Sequence, residues 1–303
     1  MAVAAVVADA GRPRACRTPE TTSRRGPAGF RHGAAAPHAE LRTFHPRRSV
    51  LGATQRDALD RLWPVAGFTL LGPEPLAPRG PGGWLSVATL FGRSAPLVVE
   101  IGPGMGEATA AMAAADPDRD YLAIEAHLPG VAQLLVLGDS LGLTNLRVAF
   151  GDAVQVLTAA IAPSSVDALH IFFPDPWPKA RHHKRRLVQA SRVGLLRSRL
   201  VPGGTIHCAT DWAPYAEAML AAFATDAELV NPYGGPAPRP ADRPVTRFEQ
   251  RALDAGRAVV DVLVRRTDSA SAAGTRPSAA PAGTQTSPTS TTAPPVVIST
   301  RLI

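Results

Sequence analysis

Carboxylates and glycines stand where apolar runs of this chain end. Glu100-Ile101-Gly102-Pro103-Gly104-Met105-Gly106 closes the run LVVEI, Glu125 closes YLAI, and Asp152 follows LRVAFG. Glycines let a backbone turn sharply and approach a ligand closely. A carboxylate about 20 residues beyond such a turn can accept hydrogen bonds from both hydroxyls of a ribose. An aspartate at the next strand end can accept from an adenine amino group. Each residue also has a plainer reading: a charge left in a core strand for Glu100, a solvated strand end for Glu125, a helix N-cap for Asp152. Together they point to a nucleoside-containing ligand. The spacing is GxGxG, not the GxGxxG of dinucleotide enzymes, and no GxxxxGK[ST] loop occurs. A glycine turn with an acidic second strand end and no basic clamp suits a cofactor without a pyrophosphate.

A second constellation begins at Phe172-Phe173-Pro174-Asp175-Pro176-Trp177-Pro178-Lys179. Three prolines in five residues fix φ and stiffen the segment, holding Asp175 at a strand end. Trp177 offers a flat face on which a base can stack. Arg181, His182, His183, Lys184, Arg185 and Arg186 follow, and Lys179 to Arg199 holds eight lysines or arginines and no acid. A solvated basic helix would look the same, but beside a strand-end carboxylate the run suits phosphate binding. Adjacent histidine side chains diverge and no third ligand is near, so no metal is expected at His182 and His183.

These residues need a frame. Apolar runs bounded by turn residues predict strands at 97–101, 121–124, 146–150, 168–173, 205–209 and 259–264. Helical spacing predicts helices over 56–63, 107–115, 130–141, 153–161, 185–200 and 213–223. Strands alternating with helices imply an α/β fold, a mostly parallel seven-stranded Rossmann-like sheet with helices on both faces. Ligands in such sheets bind at the carboxyl ends of the strands, where both constellations fall.

The 303 residues are 45% apolar, enough for one substantial core. Residues 1–40 form a basic extension and 267–303 a Ser/Thr/Pro/Ala tail; both read as disordered, leaving one domain at 41–266. No run approaches the roughly 20 apolar residues of a membrane helix. The segment Met1–Ala10 holds Asp9 and lacks a basic start, so it reads poorly as a secretory signal. Cys16 and Cys208 give no disulfide framework, which fits a reducing, cytoplasmic setting. A net charge of +7 and a pI near 10.3 suit a polyanionic partner. Arginine replaces lysine almost everywhere; the only lysines, Lys179 and Lys184, both lie in the basic run.

The segments LVVEIGPGMGE, YLAIEAHLPGV, NLRVAFGDA, IFFPDPWPKARHHKRR, ATDWAPYAEAM and RPVTRFEQRALDAG resemble the bacterial tRNA (guanine-N7)-methyltransferases, over roughly residues 41–266. The PDPW-x-KxRHxKRR and TRFE motifs are specific to that family; EIGxGxG is shared across class I methyltransferases. The resemblance implies S-adenosylmethionine as cofactor, bound by Glu100, Gly102, Gly104, Gly106, Glu125, Asp152 and Asp175, with Asp175 also catalytic. It implies substrate contacts from Lys179, Asp211, Thr246, Arg247, Phe248 and Glu249; the charge of the basic run adds Arg181, Lys184, Arg185 and Arg186 as contacts to the tRNA backbone. The implied target is a variable-loop guanosine, and the expected state is a monomer or weak homodimer. Thr246-x-x-Glu249 also has the form of a helix capping box, and Asp211 that of an N-cap. Pro178 replaces a histidine frequent in the family. PDPW is close, too, to the D-P-P-aromatic loop of enzymes that methylate exocyclic amino groups, which makes such an enzyme one alternative and a non-catalytic RNA-binding protein another.

Overall fold

A computed structural model describes residues 43–44, 50–70 and 76–267. The two expected tails lie outside these residues, apart from Thr267. In chain order the elements are α1 (Ala53–Ala66), β1 (Gly67–Thr69), α2 (Val87–Phe91), β2 (Leu97–Ile101), α3 (Glu107–Ala115), β3 (Asp120–Glu125), α4 (Leu128–Ser140), β4 (Leu146–Phe150), α5 (Ala153–Ala159), β5 (Val166–Phe172), α6 (Ala190–Arg199), β6 (Leu200–Thr210), α7 (Ala213–Phe223), β7 (Leu229–Val230), α8 (Arg247–Asp254) and β8 (Val260–Arg266).

The strands form one sheet in the order β1-β4-β3-β2-β5-β6-β8-β7. All pairings from β1 to β6 are parallel, and β8 runs antiparallel to both β6 and β7. Every residue of LVVEI in β2 is buried, because a central parallel strand is covered on both faces. Its side chains alternate. Leu97, Val99 and Ile101 join one core with α5, α6 and α7 residues such as Leu157, Leu196 and Met219. Val98 joins the other, with Leu59, Met112 and Leu134 from α1, α3 and α4.

Chain direction across the sheet reverses between β2 and β5: β3 and β4 extend to one side, β6 to the other. A crevice opens outside the strand ends at such a switch point. Among the described residues, no helix is long and apolar enough to span a membrane.

The sheet has eight strands where seven were expected. Two short strands carry no sequence signal: β1, three residues that pair with Val148–Phe150 at the end of β4, and β7, two residues that pair with β8. The helix expected over 185–200 is also interrupted. A 3-10 turn covers Ala180–Arg185, Leu187 and Val188 turn inward, Gln189 is extended at φ −157°, and the helix starts at Ala190. Buried apolar contact and the tertiary bonds of Arg186 override helix propensity there.

Candidate active site at the strand ends

Because neighbouring strands are parallel, their carboxyl ends fall along one edge. In sheet order that edge carries Asp152 after β4, Glu125 ending β3, the glycine turn after β2, Asp175 after β5 and Asp211 after β6. Gly102, Gly104 and Gly106 have φ of 71°, 63° and 82°, a region costly for any residue with a Cβ. Gly106 then caps α3.

Glu125 ties this turn together. One oxygen accepts the Gly104 N–H at 3.0 Å and the other the His127 N–H at 2.7 Å. Glu100 is 3% exposed and accepts from the Thr109 hydroxyl at 2.7 Å. Burial pushes its carboxyl up to about 7; the Thr109 bond works against this, and the Glu125 charge adds to it. Asp152 caps α5, its Oδ1 accepting from Val154 N–H at 2.8 Å. The cap and a ligand contact can coexist, since Oδ2 takes no part in that bond.

A pocket opens between the glycine turn, Phe172-Phe173 and the start of α8, with Glu100 in its wall. Thr246, Arg247 and Phe248, expected from sequence to be substrate residues, line its far side. The Phe248 ring stacks on Phe173 with centroids 6.3 Å apart. Arg247 reaches across to Glu107 at 2.6 Å. Thr246 caps α8 by accepting the Glu249 N–H at 3.0 Å.

The capping-box reading holds only for that half. The Glu249 carboxylate is 2% exposed and turned inward, paired with Arg243 at 2.7 and 3.0 Å and with Arg239 at 2.7 Å. Burial pushes its carboxyl up, but the bonds from Arg239 and Arg243 outweigh burial and hold it below the usual range. Arg243 continues to Asp261 at 3.1 Å, and Asp261 to His207 at 2.7 Å. This buried network anchors α8 to β6 and β8. The sequence reading missed Arg239 and Arg243; two arginines four residues apart in a proline-rich stretch were the only local signal. Asp211 is not the N-cap of α7, a place Trp212 takes; it pairs with Arg257 at 3.0 Å.

The basic run divides. Lys179, Arg181 and Lys184 are exposed. Arg197 pairs with Asp226 and Glu228, and Arg199 donates to the Ile161 carbonyl. Arg186, grouped by sequence with the phosphate-facing cations, is 5% exposed and donates to the Pro176 carbonyl. Arg185 lies over the Trp177 ring, 5.0 Å from its centroid. Trp177 itself is 4% exposed, its Nε1 donating to the Thr43 carbonyl at 3.3 Å, so its face is not open to a base. No group of three or more His, Cys, Asp or Glu among the described residues is arranged to hold a metal ion.

Gly130, at the start of α4, is a further requirement of the site. A Cβ there would lie 2.2 Å from the Gly104 carbonyl oxygen, which is backbone and cannot swing aside. Gly130→Ala should therefore displace the glycine turn. Overpacking of this kind costs about 1–3 kcal/mol of stability, which for a domain of this size lowers Tm by roughly 2–12 °C. A thermal midpoint within a degree of wild type would show that the turn and α4 do not approach this closely.

A family described as "Putative methyltransferase" matches residues 94–262. A tRNA (guanine-N(7)-)-methyltransferase of Streptomyces avermitilis is 50% identical over 246 residues, covering 80% of this chain and 81% of its own. One from Nitrosospira multiformis is 49% identical over 235 residues, covering 78% of this chain and 98% of its own. One from Paraburkholderia xenovorans is 47% identical over 260 residues, covering 85% and 96%.

Proposed function

Because the chain belongs to the tRNA (guanine-N(7)-)-methyltransferase family, we propose that it transfers the methyl group of S-adenosylmethionine to N7 of a guanosine in the tRNA variable loop, in the cytoplasm. The observation that carries the reading is the row of acids at the ends of β4, β3 and β5, either side of the glycine turn, at the switch point of the sheet.

The residues present fit the cofactor. A Cβ on Gly102 would meet nothing within 4 Å, so there is open space above the turn. Glu125 ends β3 beside the glycine turn, where a carboxylate can accept from a ribose, and Asp152 stands one strand further out for the adenine. When bound, S-adenosylmethionine supplies an electrophilic methyl group on a sulfonium. Guanine N7 carries a free lone pair at neutral pH, so no strong general base is required. Asp175 orients the base through its N–H donors and offsets the positive charge the base gains in the transition state. Holding the reacting atoms in line supplies most of the remaining rate. Lys179, Arg181 and Lys184 are the exposed cations of the basic run and face tRNA phosphates. Phe248, 46% exposed at the pocket, is the aromatic surface available to the unstacked base.

Incubation with labelled S-adenosylmethionine and unmodified tRNA, followed by digestion, tests this directly. Label in N7-methylguanosine is the expected result. Label in another nucleoside would overturn the target, and no transfer to tRNA would overturn the activity.

The buried Glu100 adds a pH dependence. With its carboxyl near 7 in the free protein, part of the population is protonated at neutral pH. A cationic ligand favours the carboxylate, so below pH 7 a proton must leave on binding. Cofactor affinity should weaken as pH falls from 7 to 5.5, by up to about tenfold per unit at the acid end. The window lies below the titration of the ligand's own α-amino group. Calorimetry should show the slope in wild type and its absence in Glu100→Gln; a flat wild-type profile would count against the assignment.

A further inference from the structure

The loop from Phe173 to Trp177 is bounded by two non-glycine residues in the left-handed region, at φ 50° and 45°. Such conformations are costly and persist only where surrounding structure imposes them. On the Phe173 side the constraint is the N–H, which donates to the Ala209 carbonyl at 2.8 Å. On the Trp177 side the ring is packed under Arg185 and against the edge of His182. Between them the Pro176 carbonyl accepts from Arg186 Nε at 2.8 Å.

Arg186 is an unusual residue to find there. Among the described residues its guanidinium meets a carbonyl and an aromatic ring, and no carboxylate is paired with it. Its Cζ lies 4.7 Å from the centroid of Tyr215, a fully buried ring whose hydroxyl accepts the Val188 N–H at 3.1 Å. The Arg186 carbonyl accepts from Arg192 at 2.6 Å and from Gln189 at 3.0 Å. Both ends of the residue are thus fixed. Burial also pushes the guanidinium down from its ordinary value. Burying a cation without a counter-ion is unfavourable, and an apolar residue would fill the same space at less cost. Features that oppose stability in this way concentrate at functional sites.

We propose that Arg186 is a positioning residue for the methyl transfer: by holding the Pro176 carbonyl it fixes the strained loop that presents Asp175. This rests on the function proposed above. It also separates Arg186 from the neighbouring exposed cations, which act on phosphates. Arginine suits the place because one planar group both stacks on Tyr215 and donates from Nε, which a lysine ammonium cannot reproduce.

The test compares Arg186→Met and Arg186→Lys with wild type in single-turnover methylation, tRNA binding across a salt series, cofactor titration and thermal unfolding. Misplacement of a reacting group by about 1 Å can cost 10²-fold in rate. Arg186→Met should lower kcat by about 10- to 100-fold, with tRNA affinity and its salt slope at wild-type values. Arg186→Lys should keep the fold and recover only part of kcat. Lys184→Met should instead weaken tRNA binding and reduce the log–log salt slope by about 0.7–0.9. If Arg186→Met lowers the salt slope as Lys184→Met does, Arg186 is a phosphate contact and the proposal fails. It also fails if either folded Arg186 variant turns over at the wild-type rate. Should Arg186→Met not fold, the lysine variant decides on the same criteria. Wild-type transfer to another nucleoside would overturn the guanine reading alone, since the variants are scored against whatever product the wild type makes.

Discussion

Asp175→Ala should lower kcat for tRNA methylation by about 10²–10³-fold, the loss typical when one preorganised group facing developing charge is removed. The physical basis is position and sign. The residue follows β5, beside β2 across the switch point, where the proposed reaction brings methyl donor and base together. Transfer leaves the base more positive, so a carboxylate contributes more in the transition state than in the ground state, and that difference appears in kcat. Asp175→Asn, which keeps an acceptor but removes the charge, should fall between alanine and wild type. Single-turnover transfer at saturating tRNA reads this. A variant that loses only tRNA affinity, with an unchanged rate at saturation, would remove Asp175 from the reaction centre.

The second large effect is on stability. Arg243 is 3% exposed and joins two buried carboxylates, Glu249 and Asp261, the latter bonded to His207. Arg243→Met removes the cation and leaves both acids without it. Breaking a buried pair from one side costs about 3–5 kcal/mol. For a domain of this size that lowers Tm by roughly 6–20 °C. Because the pairs with Glu249 tie α8 to the sheet, Thr246, Arg247 and Phe248 should also lose their place at the pocket. A thermal midpoint within a degree or two of wild type would mean that the network adds nothing net to stability.

The elements legible from sequence were those with strong local signals. LVVEI and LRVAF are apolar runs closed by turn residues, and EATAAMAAA and APYAEAMLAAF are Ala-rich helices; all four were read with their observed bounds. The strand-end acids were legible for the same reason, since each directly follows such a run. What escaped was either too short or decided at a distance. β1 and β7, at three and two residues, show no measurable period. The inward turn of Arg186 depends on Pro176 and Tyr215, and the burial of Trp177 on Arg185 and Thr43. A row of cations looks alike in sequence whether it faces solvent or a carbonyl. Glu249 is the sharpest case: TRFE correctly marks a helix start, yet the fate of its carboxylate is set by arginines 10 and 6 residues earlier.

The three residues of β1 supply no side chain to the chemistry and matter in a different way. Outer strands present unpaired amide and carbonyl groups, which template pairing with other chains. Gly67–Thr69 occupies that side of β4 over Val148–Phe150, and α1 delivers it there. A catalytic core trimmed to begin after Thr69 would keep every acid and glycine of the site, yet bare a β edge ending just before Asp152. The short strand thus caps the edge of β4 up to the turn that carries Asp152, leaving only three residues of open edge for a neighbouring chain to pair with.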